Sequence, residues 1–192
     1  MNKFKNRKTI TYGSLLIICM HIGALGAETI EGKVIGVMDG DTIRIIDANQ
    51  RQVKVRLAAI DAPEKDQPYG KASKKSLSRF IYKQSVRVEW TNEHYSYDRI
   101  VGKVSLQGED VGLRQLNQGM AWYYKRFAHE QAADDRERYT LAERGAQANK
   151  LGLWRDNNPM APWDWREKQR ESTKKTQDAF HEKWLYRNWQ FR

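Results

Sequence analysis

The sequence predicts an α+β fold: a five-stranded Greek-key barrel with about three α-helices, an N-terminal signal segment before it and a helical tail behind it. Three observations point there. Runs of β-type patterning follow one another from Thr29 to Leu57 with only short turns between them. The period then changes to that of a helix from Tyr69 to Lys83 and returns to alternation at Val86–Trp90 and Ile100–Leu106. Beyond those strands the pattern is helical. Two packed α+β layers are the alternative arrangement of the same elements.

The elements follow in order. Lys3, Lys5, Arg7 and Lys8 precede an apolar run, Leu15 to Leu25, and small residues stand at Ala24, Gly26 and Ala27. This order is that of a secretory signal over residues 1–26. The run is short for a membrane span, so an uncleaved anchor is the secondary reading. The mature chain is then expected to be exported, secreted or periplasmic, with no stable membrane span. Cys19, the only cysteine, lies inside the signal. A mature chain without it has no disulfide, no thiolate metal site and no thiol nucleophile.

Thr29 to Val37 reads as a strand, with Gly32 and Gly36 marking a bulge. Thr42 to Ile46 is the second strand, and Asp47-Ala48-Asn49-Gln50 turns the chain. Val53, Val55 and Leu57 alternate with Lys54 and Arg56, which places Arg56 on the polar face of a half-buried third strand. In the helix that follows, Ser73, Leu77, Phe80 and Ile81 share one face. After the last two strands, Asp110 is placed to cap a short helix through Leu116, ended by Gly119. Ala121 to Lys125 is aromatic and basic. His129 to Lys150 is expected to be one long helix, stopped by Leu151-Gly152-Leu153-Trp154. One domain is expected over 27–162, and a basic, Trp-rich extension over 163–192 with an exposed helix from Lys168 to Tyr186. That extension reads either as a tail that packs locally or stays mobile, or as a segment that contacts nucleic acid or the cell envelope.

The formal net charge is +10, and +6 remains once the four N-terminal cations are set aside. That excess favours a polyanionic partner, because Lys and Arg release counterions from a phosphate backbone.

Chemistry concentrates between Asp39 and Glu64. Asp41 follows a Gly at a strand start, Asp61 and Glu64 flank Pro63, and Arg56 lies between. Each acid alone reads as a turn residue. Together they form a set that can bind a hard cation beside an anion clamp. Oxygen donors without Cys or a neighbouring His suit Ca²⁺ or Mg²⁺. Glu64 is a candidate to orient or deprotonate water, and otherwise an acid at a helix start. Arg56 and Arg99 are candidate phosphate clamps. Tyr97, Tyr123, Tyr124 and Lys125 are candidates for stacking or phosphate contact, or for packing. His94 and His129 have no nucleophile beside them and read as structural or surface residues.

Asp39-Gly40-Asp41-Thr42, Val55-Arg56-Leu57, Ile60-Asp61-Ala62-Pro63-Glu64, Tyr97-Asp98-Arg99-Ile100-Val101-Gly102 and Leu151-Gly152-Leu153-Trp154 occur in this order over residues 29–160. In that combination the chain resembles the thermonuclease (staphylococcal nuclease-like) family. The resemblance implies an oligonucleotide-binding-type barrel and a Ca²⁺-dependent endonuclease acting on DNA and RNA to leave 3′-phosphate ends. It implies catalytic roles for Arg56, Glu64 and Arg99, and Ca²⁺ ligation by Asp41, Asp61 and the Ala62 carbonyl. Ala62 stands where the family often has Thr, and Asp98 where it has Gly. No obligate protein partner is implied, and a monomer is expected. A non-catalytic module binding single-stranded nucleic acid on the same fold is the competing reading. The complete set of acids and arginines favours the enzyme.

Overall fold

The computed structural model describes residues 28–90, 95–96 and 99–189. The predicted signal segment, Tyr97 and His94 lie outside the described residues.

Five strands close into a barrel. They are β1 (Glu28–Val37), β2 (Thr42–Asp47), β3 (Gln52–Leu57), β4 (Ser85–Trp90) and β5 (Arg99–Leu106). The long β1 serves two neighbours. Its first half pairs antiparallel with β4, Ile30 opposite Val88, and its second half with β2, Val34 opposite Ile45. The register shifts between Val34 and Gly36, which is the predicted bulge, and it bends β1 from one neighbour toward the other. β2 pairs antiparallel with β3, Thr42 opposite Arg56, and β4 with β5, Val88 opposite Val104. Closure comes from a parallel pairing of β3 with β5, Arg56 opposite Val101. That pairing is long-range in sequence.

Alternation decides which side chains enter the barrel. Along β5, Ile100, Val104 and Leu106 are buried while Arg99, Val101 and Lys103 are only partly so. Val34, Ile43, Ile45, Val55, Leu57, Val86 and Val88 complete the interior. α1 (Gly70–Ile81) closes one side of this core with Leu77 and Ile81, and Phe80 packs against it from a partly exposed position. α2 (Val111–Asn117) begins where expected, with the Asp110 carboxylate accepting the Leu113 N–H at 3.0 Å.

α3 (Ala133–Ala148) is shorter than the predicted His129–Lys150. Lys125–Glu130 instead makes tight 3₁₀ turns, closed by the Gln131 N–H on the Ala128 carbonyl, and Gln131 is extended. The helix then starts just ahead of Asp134 and Asp135, acids that complement the positive end of its dipole. At its other end Gly152 and Gly119 both hold φ near +50 to +60°, and a Cβ on Gly152 would stand 2.1 Å from the Gly119 carbonyl oxygen. The Leu151–Trp154 stop depends on that backbone contact, strengthened by the Leu153 N–H on the same carbonyl at 2.8 Å. α4 (Pro162–Trp189) begins earlier than the predicted Lys168. Proline suits a first helical turn, and Ala161 just before it is buried against the domain.

Candidate active site

The site begins at the turn between β1 and β2. Gly40 there lies against α1: a Cβ on it would fall 1.9 Å from Ser73 Oγ and 2.7 Å from the Ala62 side chain. Its carbonyl accepts the side-chain amide of buried Gln115 at 2.8 Å, which ties the turn to α2. Fixed in this way, Asp41 points inward with 3% of its surface exposed. Its Oδ2 accepts the Ala62 N–H at 2.7 Å, and its Oδ1 accepts the Thr42 hydroxyl at 2.9 Å. The segment after β3 carries Asp61, which is 1% exposed. Ile60 and Asp61 are held by antiparallel pairing with Tyr123 and Trp122.

Arg56 joins the two acids. Its Nη1 forms an ion pair with Asp41 Oδ1, and its Nη2 donates to Asp61 Oδ1 at 2.8 Å and to the Ile60 carbonyl at 3.2 Å. Burial works against charge on Arg56, but Asp41 and Asp61 outweigh it and its pKa lies above the usual guanidinium value. At Asp41 burial has the larger effect and raises the carboxyl above its ordinary range, against the pull of Arg56. A buried acid that one guanidinium does not fully compensate gains from more positive charge nearby.

Glu64 sits at the rim, its side chain 40% exposed. Its backbone is fixed by Gln67, whose side-chain oxygen accepts the Glu64 N–H at 3.0 Å and whose amide donates to the Met160 carbonyl at 2.7 Å. Arg166, from the first turns of α4, reaches the same rim. Its Nη2 donates to Asp61 Oδ2 at 2.7 Å, and its Nη1 donates to Asp61 Oδ1 at 3.2 Å and to Glu64 Oε1 at 2.7 Å. The hydrogen bonds to Asp61 are the main reason its pKa is raised.

These side chains border a single cleft of about 860 Å³, which also takes in Arg99, Tyr124 and Phe127. The Nε of Arg99 is buried and has no hydrogen-bond partner among the described residues. The structure therefore brings Asp41, Arg56, Asp61, Ala62, Glu64, Arg99 and Tyr124 together on this cleft. Tyr123 is buried in the core, and Lys125 is not on the cleft either. Its ammonium pairs with Glu143 at 3.0 Å, and that buried carboxylate also accepts the Tyr123 N–H.

Sequence reasoning missed Arg166 and the two glutamines. Arg166 lies in a charge-alternating segment with no local signature, and only Pro162 two turns or less before it hints that the helix starts against the domain. Gln67 and Gln115 carry no pattern at all, because what defines them is burial beside main-chain carbonyls.

The donor set fits a hard cation. Two carboxylates meet on one guanidinium, a main-chain segment adjoins them at Ala62, and no sulfur or imidazole takes part. Among the described residues, no group of three His, Cys, Asp or Glu side chains is already gathered as a metal cage. Such a site leaves coordination positions to water and substrate.

Comparison with known proteins agrees with this geometry. A family model described as "Staphylococcal nuclease homologue" matches residues 54–156. An uncharacterised endonuclease of Haemophilus influenzae is 39% identical over 165 residues, covering 86% of this chain and 88% of that protein. A micrococcal nuclease of Shigella flexneri is 34% identical over 151 residues, covering 74% of this chain and 83% of its own length. The Escherichia coli protein ParB is 35% identical over 146 residues, with 71% and 79% covered. The closed barrel, the acid–arginine cleft and these matches place the chain among the staphylococcal nuclease homologues, as a nuclease of that family.

Proposed function

We propose that this nuclease is a monomeric, exported, Ca²⁺-dependent endonuclease that hydrolyses phosphodiesters of DNA and RNA and leaves 3′-phosphate ends. The observation that carries the reading is the meeting of Asp41, Asp61, Arg56, Glu64 and Arg99 on one cleft. Asp41, Asp61 and the Ala62 carbonyl are the residues that would hold Ca²⁺. When bound, the ion polarises the scissile phosphate and offsets charge on it.

The chain's own groups do the rest. Glu64, exposed at the rim on a backbone anchored by Gln67, accepts a proton from a water that attacks phosphorus. The P–O5′ bond breaks, the 5′-oxygen takes a proton from solvent, and the phosphate stays on the 3′ side. The Nε of Arg99 has no hydrogen-bond partner among the described residues, which suits this guanidinium to donate to a phosphate oxygen. Arg56, held rigid between two carboxylates, presents positive charge beside the same phosphate without having to reorganise.

The test is plasmid degradation with Ca²⁺, with chelator, and with Glu64→Gln. Cleavage should need Ca²⁺, and Glu64→Gln should bind DNA but cut roughly 10²- to 10⁴-fold more slowly. Cleavage undiminished by chelator rejects the calcium reading, and wild-type turnover by the variant rejects the role of Glu64. Binding without any cleavage by the unaltered chain would mark it as a nucleic-acid-binding module. Export is checked by the mass of the chain recovered from medium and from cell fractions.

A further inference from the structure

Arg166 lies beyond residue 156, where the family match ends, yet it makes more hydrogen bonds to the acids of the cleft than Arg56 does to Asp61 alone. Its position is built. The Met160 carbonyl is held by Gln67, Ala161 is buried, and the Trp163 ring packs on Trp122 and Tyr124 with centroids 5.7 and 5.5 Å apart. Trp163 and Arg166 are three residues apart and so share a helix face, and anchoring one aims the other at the cleft.

The consequence concerns Asp61. Its Oδ1 already accepts from Arg56 and Arg166, and its Oδ2 accepts from Arg166. Three hydrogen bonds thus fall on this carboxylate, and the remaining acceptor site is on Oδ2, the oxygen that Arg166 Nη2 already holds at 2.7 Å, so a cation that draws on Asp61 meets the Arg166 guanidinium directly. Arg56 is 18% exposed and fixed on Asp41 as well, whereas Arg166 is 37% exposed and reaches the acids from the solvent edge. Arg166 is the partner that can leave. We propose that Arg166 is an active-site counter-ion: it holds Asp61 and Glu64 while the divalent cation is absent, and the cation must displace it, so Arg166 sets the ion concentration at which the site loads. Glu64 is released in the same event, which couples cation entry to freeing the group that takes the proton from water.

The inference rests on the reading of Asp61 as a cation ligand, and the experiment separates the two. Ca²⁺ is titrated calorimetrically into the full chain without nucleic acid, at low ionic strength, for wild type, Arg166→Gln and Arg166→Lys. Melting temperature with and without Ca²⁺ is measured on each. Arg166→Gln should bind Ca²⁺ roughly tenfold more tightly, because a charge-assisted, two-pronged competitor is gone. Arg166→Lys, which keeps the charge but not the fork, should lie between. The rise in melting temperature at a fixed Ca²⁺ concentration should follow the same order. Affinity equal to or weaker than wild type in both variants overturns the proposal while leaving Ca²⁺ binding intact. A wild-type chain that binds no Ca²⁺ removes the calcium reading and this proposal together. If Arg166→Gln does not fold, Arg166→Lys decides the matter by the same comparison.

Discussion

Arg56 and Arg99 present the same functional group in different surroundings. Arg56 lies between Asp41 and Asp61, both nearly fully buried, and compensates their charge. Arg99 reaches the same cleft with a buried Nε that is unpartnered among the described residues. Truncating each should therefore fail differently. Arg56→Ala leaves buried Asp41 without its guanidinium and Asp61 with Arg166 alone, and removal of one partner from such a buried set costs about 3–5 kcal/mol of stability. Arg99→Ala should fold close to wild type and lose about 2.7–4 kcal/mol of transition-state stabilisation, by analogy with other preorganised donors. Denaturant melts beside kcat/KM measurements check the contrast, and equal stability losses in the two variants would refute it. The alternation in β3 is enough to place Arg56 on the polar face. That the polar face looks onto Asp41 and Asp61 is not in the alternation, because it depends on how the turn before β2 folds back over Ala62.

Among the elements, the link between α2, α3 and β5 is the one most open to test. Asp110 caps α2 through the Leu113 N–H, as its position before an apolar helix predicts. The same carboxylate accepts the Tyr139 hydroxyl of α3 at 3.0 Å and faces Lys103 of β5 at 3.6 Å. Burial and Asp110 together hold the Tyr139 phenol neutral, well above its ordinary range. Tyr139→Phe should cost about 1–3 kcal/mol, since it takes a donor from a buried acid, and denaturant unfolding measures it. A change within a few tenths of a kcal/mol would mean that Asp110 is satisfied by Leu113 and Lys103 alone. The cap was legible from sequence because it is local. The Tyr139 partner lies 29 residues away and was not. The start of α3 shows the converse limit: Ala and charged residues fit a helix from His129, but the Gln131 turn on Ala128 stops it from beginning before Ala133.

For the whole molecule, the governing quantity is charge. The net excess of +6 outside the N-terminal cations sits on a protein whose cleft is itself lined with acids. Binding should thus be carried by lysines and arginines around the cleft and weaken steeply with salt. With about four phosphates contacted, the affinity of Glu64→Gln for duplex DNA should fall on the order of 100-fold between 50 and 200 mM salt. Salt-independent binding would argue against backbone contacts as the source of affinity. By itself the sequence determined the five strands and their order, the α2 cap, the Gly40 and Gly152 turns, and the acids and arginines to look for, because period, capping and turn chemistry act over a few residues. Only the tertiary structure decided that β3 closes on β5, that Arg56 bridges Asp41 and Asp61, that Lys125 turns away to Glu143, and that Arg166 enters the cleft. Most of those contacts join segments far apart in the chain, and even Arg56 and Asp61, five residues apart, meet through burial and charge compensation in the assembled fold, which no local pattern encodes.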